Sequence, residues 1–250
     1  MNILFTICGR AGSKGVKNKN IREFYGNELI KYTIAAAFMF MEKNKQFNID
    51  ICVNSDSDKL LNLISHYDLE CIKRPAELAQ DSTPKVPVIK YSLLYMEKEI
   101  KRKYDFIIDL DITSPFRKVS DIENAINKAK DNPGIDVVFS VVSSRRNPYF
   151  NMVEEYNGVL KRVINSNFTT RQQAPNVYDM NASIYCYNRN SLCNVLDTSP
   201  LDGKFDVILM RDTAVLDIDS EEDFELMQIL ASYFFKNDFK DLFDKTCGIK

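Results

Sequence analysis

The chain has 250 residues, 45% hydrophobic and 27% charged, with 33 basic side chains against 35 acidic ones and a net charge of −2. That length can bury a sizeable core, and the mixture is that of a globular fold rather than a disordered or fibrous one. The near-neutral balance gives no reason to expect nucleic acid or an anionic membrane surface as a partner.

Six cysteines occur and none forms a C-x-x-C pair. They read as reduced thiols of a cytoplasmic protein. Residues 1–8 are apolar but short and lack a basic leader, so they predict a first strand rather than a signal peptide. No apolar run approaches the roughly 18 residues a membrane span needs.

In chain order, residues 3–8 predict a buried strand, followed by a Gly- and Lys-rich loop to Asn20. Residues 29–41 predict a helix that is apolar around most of its surface, and 49–54 a second strand. Ser55-Asp56-Ser57-Asp58 is an N-cap cluster for a helix over 59–67, and 69–73 form a short strand. A long helix follows over 84–100, then a continuous apolar strand over 106–111 that ends in acid. Residues 119–130 are an amphipathic helix begun by Ser120 or Asp121, and 137–142 a β-branched and aromatic strand. Residues 145–178 break the rhythm, being polar and rich in Asn and Tyr, and predict hairpins or an excursion. Strands are expected at 183–187 and 213–218, and a last helix at 220–236 with Ser220 and Asp223 as its capping box.

No repeat or linker divides the chain, so residues 1–250 are expected to form one domain with the 145–178 excursion inside it. Alternating strands and helices predict an α/β class: a three-layer α/β/α, mainly parallel, Rossmann-like sheet. In such sheets ligands sit beyond the carboxyl ends of the strands. The polar residues just after strands therefore matter most: the loop after Cys8, the stretch from Asp111, and Asp217 to Asp219.

The first loop runs Gly9-Arg10-Ala11-Gly12-Ser13-Lys14-Gly15-Val16-Lys17-Asn18-Lys19-Asn20. Its three glycines let backbone N–H groups approach an anion closely, and Arg10, Lys14 and Lys19 add charge suited to phosphate oxygens. It is neither a Walker A loop nor G-x-G-x-x-G. Asp217 and Asp219, spaced i, i+2 on a predicted strand end, share a side and offer hard oxygen ligands for a divalent metal. Asp109 and Asp111 present the same spacing, so a metal could use either pair, or Asp111 with one terminal acid. His66, the single histidine, lies mid-helix with no nucleophile motif beside it, against a histidine-dependent triad.

The first loop resembles the nucleotide-binding signature of the acylneuraminate cytidylyltransferase family, which includes CMP-sialic acid and CMP-legionaminic acid synthetases. Five further stretches agree in order: Arg74-Pro75-Ala76-Glu77-Leu78-Ala79-Gln80-Asp81, Thr113-Ser114-Pro115-Phe116-Arg117, Arg171-Gln172-Gln173-Ala174-Pro175, the segment around Asn181, and Asp217-Ile218-Asp219. The resemblance implies a nucleotide-diphospho-sugar transferase type of fold. It implies transfer of CMP from CTP to the anomeric hydroxyl of a nonulosonic acid, with release of pyrophosphate. Gly9, Arg10, Gly12, Ser13, Lys14, Lys19, Asn20, Arg74, Asp81 and Ser82 would hold the nucleotide. Arg10 and Lys14, with the acids, would carry catalysis. Asp217 and Asp219 would hold Mg²⁺ or Mn²⁺. Asp111, Arg171, Gln172, Gln173, Tyr178, Asn181 and Phe150 would face the sugar. Family members are dimers, and the excursion would reach the neighbouring copy.

The sequence departs from the sialic acid pattern near the sugar. Asn147 stands where a His is usual and Phe150 where a Lys is expected. An apolar Phe150 favours a less hydroxylated acceptor such as legionaminic acid over N-acetylneuraminic acid; alternatively, it packs against a partner subunit. Other readings are an eight-carbon sugar acid such as 3-deoxy-octulosonate, a polyol phosphate served by Arg145, Arg146, Lys161 and Arg162, or a non-catalytic nucleotide-binding protein.

Overall fold

A computed structural model describes residues 1–12 and 15–249. The elements are β1 (Asn2–Cys8), a minimal hairpin of β2 (Glu23–Phe24) and β3 (Asn27–Glu28), α1 (Leu29–Lys43), β4 (Asn48–Ser55), α2 (Asp58–Ile64) and β5 (Glu70–Lys73). They continue with α3 (Lys85–Ile100), β6 (Phe106–Leu110), α4 (Val119–Asp131), β7 (Val137–Ser143), β8 (Val153–Tyr156) and β9 (Val159–Arg162). The chain ends with β10 (Tyr178–Asn188), α5 (Arg189–Asn194), β11 (Phe205–Leu209), α6 (Glu221–Phe234) and α7 (Lys240–Gly248).

Seven strands form one sheet in the order β11-β7-β10-β6-β1-β4-β5. Every neighbouring pair is parallel except those of β10, which runs antiparallel between β6 and β7. The sheet is therefore mainly parallel, as expected. Its two faces carry separate cores. Ile3, Phe5 and Ile7 of β1 pack with α1, α2, α4, α6 and α7, whereas Leu4 packs with α3 and α5. The period-2 alternation of a strand, applied to a central strand covered on both sides, explains why β1 is apolar except at Asn2 and Thr6.

Two expectations fail locally. The last strand is not at 213–218. It is β11, whose exposed Phe205 and Leu209 make a weak apolar signal at the sheet edge. Residues Asp212–Val215 instead form a 3-10 turn. Ala214 and Ile218 of that stretch are buried, so its apolar character reflects docking on the core rather than strand pairing. The second difference is α7, unexpected because its moderately polar sequence packs only on one side. It docks on α1, where Phe235 stacks on Tyr32 at 4.8 Å and on Phe243 at 5.3 Å. Helix α4 begins at Val119, as expected, but its N-cap is Lys118 rather than Ser120 or Asp121, and the Asp121 carboxylate reaches back to accept from the Lys118 N–H at 2.9 Å. Ser220 and Asp223 cap α6 reciprocally, as the capping box predicts. Among the described residues no helix is long and apolar enough to cross a membrane.

Glu97 of α3 ties the second core together. It accepts from Arg189 Nε and Nη2, both at 2.9 Å, and from Lys103 Nζ at 2.5 Å, with its side chain nearly sealed. Burial pushes its pKa up, but the hydrogen bonds from Arg189 and Lys103 outweigh this and leave it below the usual 4.5. A carboxylate held below its unfolded value contributes stability above that value and loses it as pH falls through the folded value. Glu97→Gln is thus expected to cost about 1.5–3 kcal/mol at neutral pH. The deficit should shrink below about pH 4 as wild-type Glu97 takes up its proton. Urea unfolding of both proteins across that range measures it, and a deficit independent of pH would refute the assignment.

Candidate active site

The site is assembled at the carboxyl ends of β1, β4 and β6. Strand β1 stops at Cys8, and the Gly9 N–H donates to Asn54 O of β4 at 3.1 Å. A Cβ at Gly9 would lie 2.9 to 3.0 Å from the side-chain ends of Ile112, Asn20 and Leu60, which would have to shift to admit it. Ala11 N–H donates to Asp56 Oδ1 at 2.8 Å, and Asn20 Nδ2 to Arg10 O at 3.1 Å. Gly12 has φ 73° and Asn18 φ 54°, left-handed positions that turn successive amides in the loop. Arg10, Ala11, Gly12, Asn18 and Asn20 line a hollow of about 30 Å³ with Ser57 and Leu60. Ser13 and Lys14 lie outside the described residues.

The far side of this loop touches the acidic segment. A Cβ built on Gly15 would lie 1.8 Å from Asp219 O, inside van der Waals contact, so the two backbones meet there. Lys19 Nζ donates to Ile218 O at 2.5 Å and lies 3.1 Å from Asp219 Oδ1. The Ile218 N–H in turn donates to Thr113 O at 3.1 Å, which docks the acidic segment on the end of β6. The basic turn and the distant acids therefore converge. Asp217 and Asp219 do so from an extended segment after a 3-10 turn, not from a strand end.

Three carboxylates face this corner. The Asp217 pKa is pushed up to about 6, first by burial and then by Asp219 and Asp111, with Lys19 opposing. Crowded acids of one sign leave a negative hole that a divalent cation would relieve, and their hard oxygens suit Mg²⁺. Among the described residues no three acidic, thiol or imidazole groups form a ready-made cage. Mg²⁺ needs none, because it takes one or two carboxylates and completes its shell with phosphates and water. The residues present fit such an ion.

The other acidic pair is already occupied. Asp109 is fully buried, accepts from Thr6 Oγ1 at 2.8 Å, and lies 2.7 Å from Lys85 Nζ. The same ammonium donates to Asp111 Oδ2 at 2.8 Å. Asp111 Oδ1 accepts from Thr113 N and Oγ1, both at 2.9 Å. Burial pushes the Asp111 pKa up, yet Lys85 and Thr113 overcome it and hold the carboxyl far below the usual range. For Lys85, burial favours the neutral amine, but the two carboxylates win and raise its pKa well above 10.5. Nothing in the sequence marks Lys85 as a pairing residue, since one lysine at the start of an apolar helix carries no motif.

Three of the residues expected to hold the nucleotide, Arg10, Asp81 and Arg74, are tied into the fold. Arg10 Nη1 lies 2.6 Å from Asp81 Oδ1. Arg74 is buried and donates from Nε to Asn54 Oδ1 at 2.7 Å and from Nη2 to Asn54 O at 2.9 Å. Among the described residues Ser82 makes no recorded hydrogen bond.

The expected sugar contacts divide. Asp111 belongs to the corner just described. Asn181 does not present its amide outward. It is buried, and its Oδ1 accepts from Ser140 Oγ at 2.6 Å while Nδ2 meets Met210 Sδ at 3.3 Å. Its work is to hold the bulge at Ala182 (φ 54°), beyond which Ser183 O accepts from the Asp111 N–H at 3.2 Å. Arg171 and Tyr178 line a separate cavity of about 230 Å³ with Asn147. Arg171 Nη2 donates to Arg145 O, and Gln173 Oε1 accepts from Thr169 N at 3.2 Å. Gln172 is exposed, and Phe150 is part-buried in a turn that Asn147 closes by accepting from Tyr149 N at 2.9 Å. Among the described residues no hydrogen bond joins Arg171, Gln172 or Gln173 to Asp111, Asp217 or Asp219.

Residues 4–234 match a family described as Cytidylyltransferase. The chain is 41% identical over 232 residues to CMP-N,N'-diacetyllegionaminic acid synthase of Campylobacter jejuni, covering 92% of this chain and 95% of that one. It is 40% identical over 230 residues to post-translational flagellin modification protein B of Campylobacter coli, covering 91% and 94%. A solved CMP:2-keto-3-deoxy-manno-octonic acid synthetase complexed with CTP superposes with a TM-score of 0.67 at 14% identity, covering 93% of this chain and 99% of that one. That likeness bears on the fold, which is of the same kind. The family match spans nearly the whole chain, and the chain belongs to the cytidylyltransferase family of nucleotidyltransferases.

Proposed function

We propose that the protein transfers CMP from CTP to the anomeric hydroxyl of a nonulosonic acid, with legionaminic acid as the favoured acceptor. The observation that carries this is the meeting of the glycine loop with the acidic segment, Gly15 against Asp219 and Lys19 across both. CTP brings about four negative charges to an acceptor that is itself an anion, so the site must shield repulsion and align the attacking oxygen. Arg10, Lys14 and Lys19 would neutralise the β- and γ-phosphates and steady pyrophosphate as it leaves. The acceptor oxygen forms the bond to the α-phosphorus, the bond from that phosphorus to the bridging oxygen breaks, and the hydroxyl proton passes to solvent. Asp217 and Asp219, with Asp111 opposite, would hold Mg²⁺ or Mn²⁺, which supplies positive charge to the phosphate oxygens. Arg171, Gln172, Gln173, Tyr178 and Phe150 would orient the acid. The 41% identical relative is named for the diacetylated legionaminic acid, which supports that acceptor.

The hairpin β8–β9 would bind a second copy. Val153, Tyr156, Val159 and Leu160 expose more than 60% of their surface, and an isolated two-stranded hairpin is marginal in water. Sedimentation of the wild type and Leu160→Asp tests this; a wild-type monomer rejects it.

Pyrophosphate release measured with CTP, Mg²⁺ and a panel of legionaminic, N-acetylneuraminic and 3-deoxy-octulosonic acids tests the main reading. Release is expected with legionaminic acid, at about ten- to a hundredfold higher kcat/KM than with N-acetylneuraminic acid, the range one misfitted group commands. Equal release from ATP, or release with none of the acids, would count against it.

A further inference from the structure

Asp217 and Asp219 flank Ile218 in a segment that belongs to no strand, between the 3-10 turn at Asp212–Val215 and α6. No hydrogen bond to the Asp217 carboxylate is recorded among the described residues, so the backbone that carries it sets its place. On the helix side, the Asp219 N–H donates to Asp223 Oδ2 at 3.2 Å. On the sheet side, the Ile218 N–H donates to Thr113 O at 3.1 Å. It is this second contact that registers the two acids on the end of β6.

Thr113 is held in turn by a chain of contacts that ends on Lys85. Its N–H and Oγ1 both donate to Asp111 Oδ1 at 2.9 Å. Asp111 Oδ2 accepts from Lys85 Nζ at 2.8 Å, and the same ammonium lies 2.7 Å from Asp109 Oδ2. Asp109 is fully buried, and its Oδ1 is taken by Thr6 Oγ1. Its Oδ2 has no hydrogen-bond partner among the described residues beyond that ion pair. The Asp111 backbone is fixed separately. Its carbonyl accepts from Thr33 Oγ1 at 3.2 Å and from Arg117 Nη2, and its N–H donates to Ser183 O at 3.2 Å. Lys85 therefore acts on the Asp111 side chain alone. Its own mount is rigid, because Val86, Ile89 and Leu93 bury the start of α3 in the second core. Without the ammonium, the carboxylates of Asp109 and Asp111 would face each other and repel. Asp109 is sealed, whereas the Asp111 side chain is 20% exposed and can turn outward, away from Thr113.

We propose that Lys85 is a positioning residue for the transfer reaction. It pins the Asp111 carboxylate, Asp111 sets the Thr113 turn, and that turn fixes where Asp217 and Asp219 present their oxygens to the metal. The inference rests on the assignment of those two acids as metal ligands. Groups one step behind a metal ligand set metal affinity by about 10- to 100-fold.

Mn²⁺ binding to the full chain, followed by the loss of the free ion's paramagnetic resonance signal, tests the role of Lys85. Lys85→Met alone strands the Asp109 charge. The comparison is therefore between Asp109→Asn, in which Lys85 still holds Asp111, and the double variant Lys85→Met, Asp109→Asn, in which it does not. The double variant should bind Mn²⁺ about 10- to 100-fold more weakly than Asp109→Asn, and should need correspondingly more Mg²⁺ for half-maximal pyrophosphate release. Thr113→Val removes only the hydroxyl donated to Asp111 and should weaken Mn²⁺ binding about tenfold. It carries the test should the double variant not fold. Equal Mn²⁺ affinity in the folded double variant and Asp109→Asn, or wild-type affinity in Thr113→Val, overturns the role of Lys85 and leaves the metal assignment standing. A wild type that binds no Mn²⁺ up to about 10 mM overturns the metal assignment itself, and this inference falls with it.

Discussion

Lys85→Met is expected to destabilise the protein by about 3–5 kcal/mol, the loss seen when one partner of a buried ion pair is removed. Its ammonium sits within 2.8 Å of two carboxylates, and one of them, Asp109, has no exposed surface. Methionine fills the volume but takes away the ammonium that pairs directly with that buried charge. The second substitution Asp109→Asn should restore a large part of the loss, because removing both charges costs less than stranding one. Guanidinium unfolding of the single and double variants measures the coupling. If Lys85→Met alone unfolds within about 1 kcal/mol of the wild type, the pair is not what holds the end of β6.

Asp219→Ala should lower turnover by about 10²- to 10³-fold while leaving the fold intact, as expected for a group that organises charge in the transition state. Its side chain is 74% exposed and its recorded ion partner is Lys19 at 3.1 Å, so the melting temperature should move by no more than about 2 °C. The deficit should appear in kcat at saturating Mg²⁺ and CTP. A variant with wild-type kcat would remove Asp219 from the metal assignment. Asp217→Asn, which keeps the shape but discards the charge, separates the charge from the space it fills.

Much of this architecture is legible before any coordinates. The mostly apolar runs of β1 and β6, broken only by Thr6 and Asp109 after Asn2, announce strands covered on both faces, and the polar residues after them mark the corner where chemistry gathers. The capping box at Ser220 and Asp223 sets the start of α6 to the residue. Other parts resist reading for physical reasons. Strand β11 lies at the sheet edge with Phe205 and Leu209 half in water, so its pattern is weak, whereas the buried Ala214 and Ile218 mimic a strand without pairing. Asn181 reads as a substrate contact because it falls in a segment that resembles the family pattern. Only the fold shows its amide consumed by Ser140 and Met210. Lys85 lies far in sequence from the two acids it balances, Asp109 and Asp111, and no local spacing reveals such a partnership.

Placing β10 between β6 and β7 has a consequence for biosynthesis. Neither of those strands can complete its backbone pairing until residues 178–188 leave the ribosome, after the whole excursion that follows Ser143 has been made. At about 5–20 residues per second the nascent chain carries two apolar, unsatisfied strand edges for several seconds. Folding yield should therefore respond to translation rate and to chaperones that shield open edges. Codon changes that slow the stretch between β7 and β10 should raise the insoluble fraction more than equal slowing after Asn188, where only the β7 edge that β11 covers is still open.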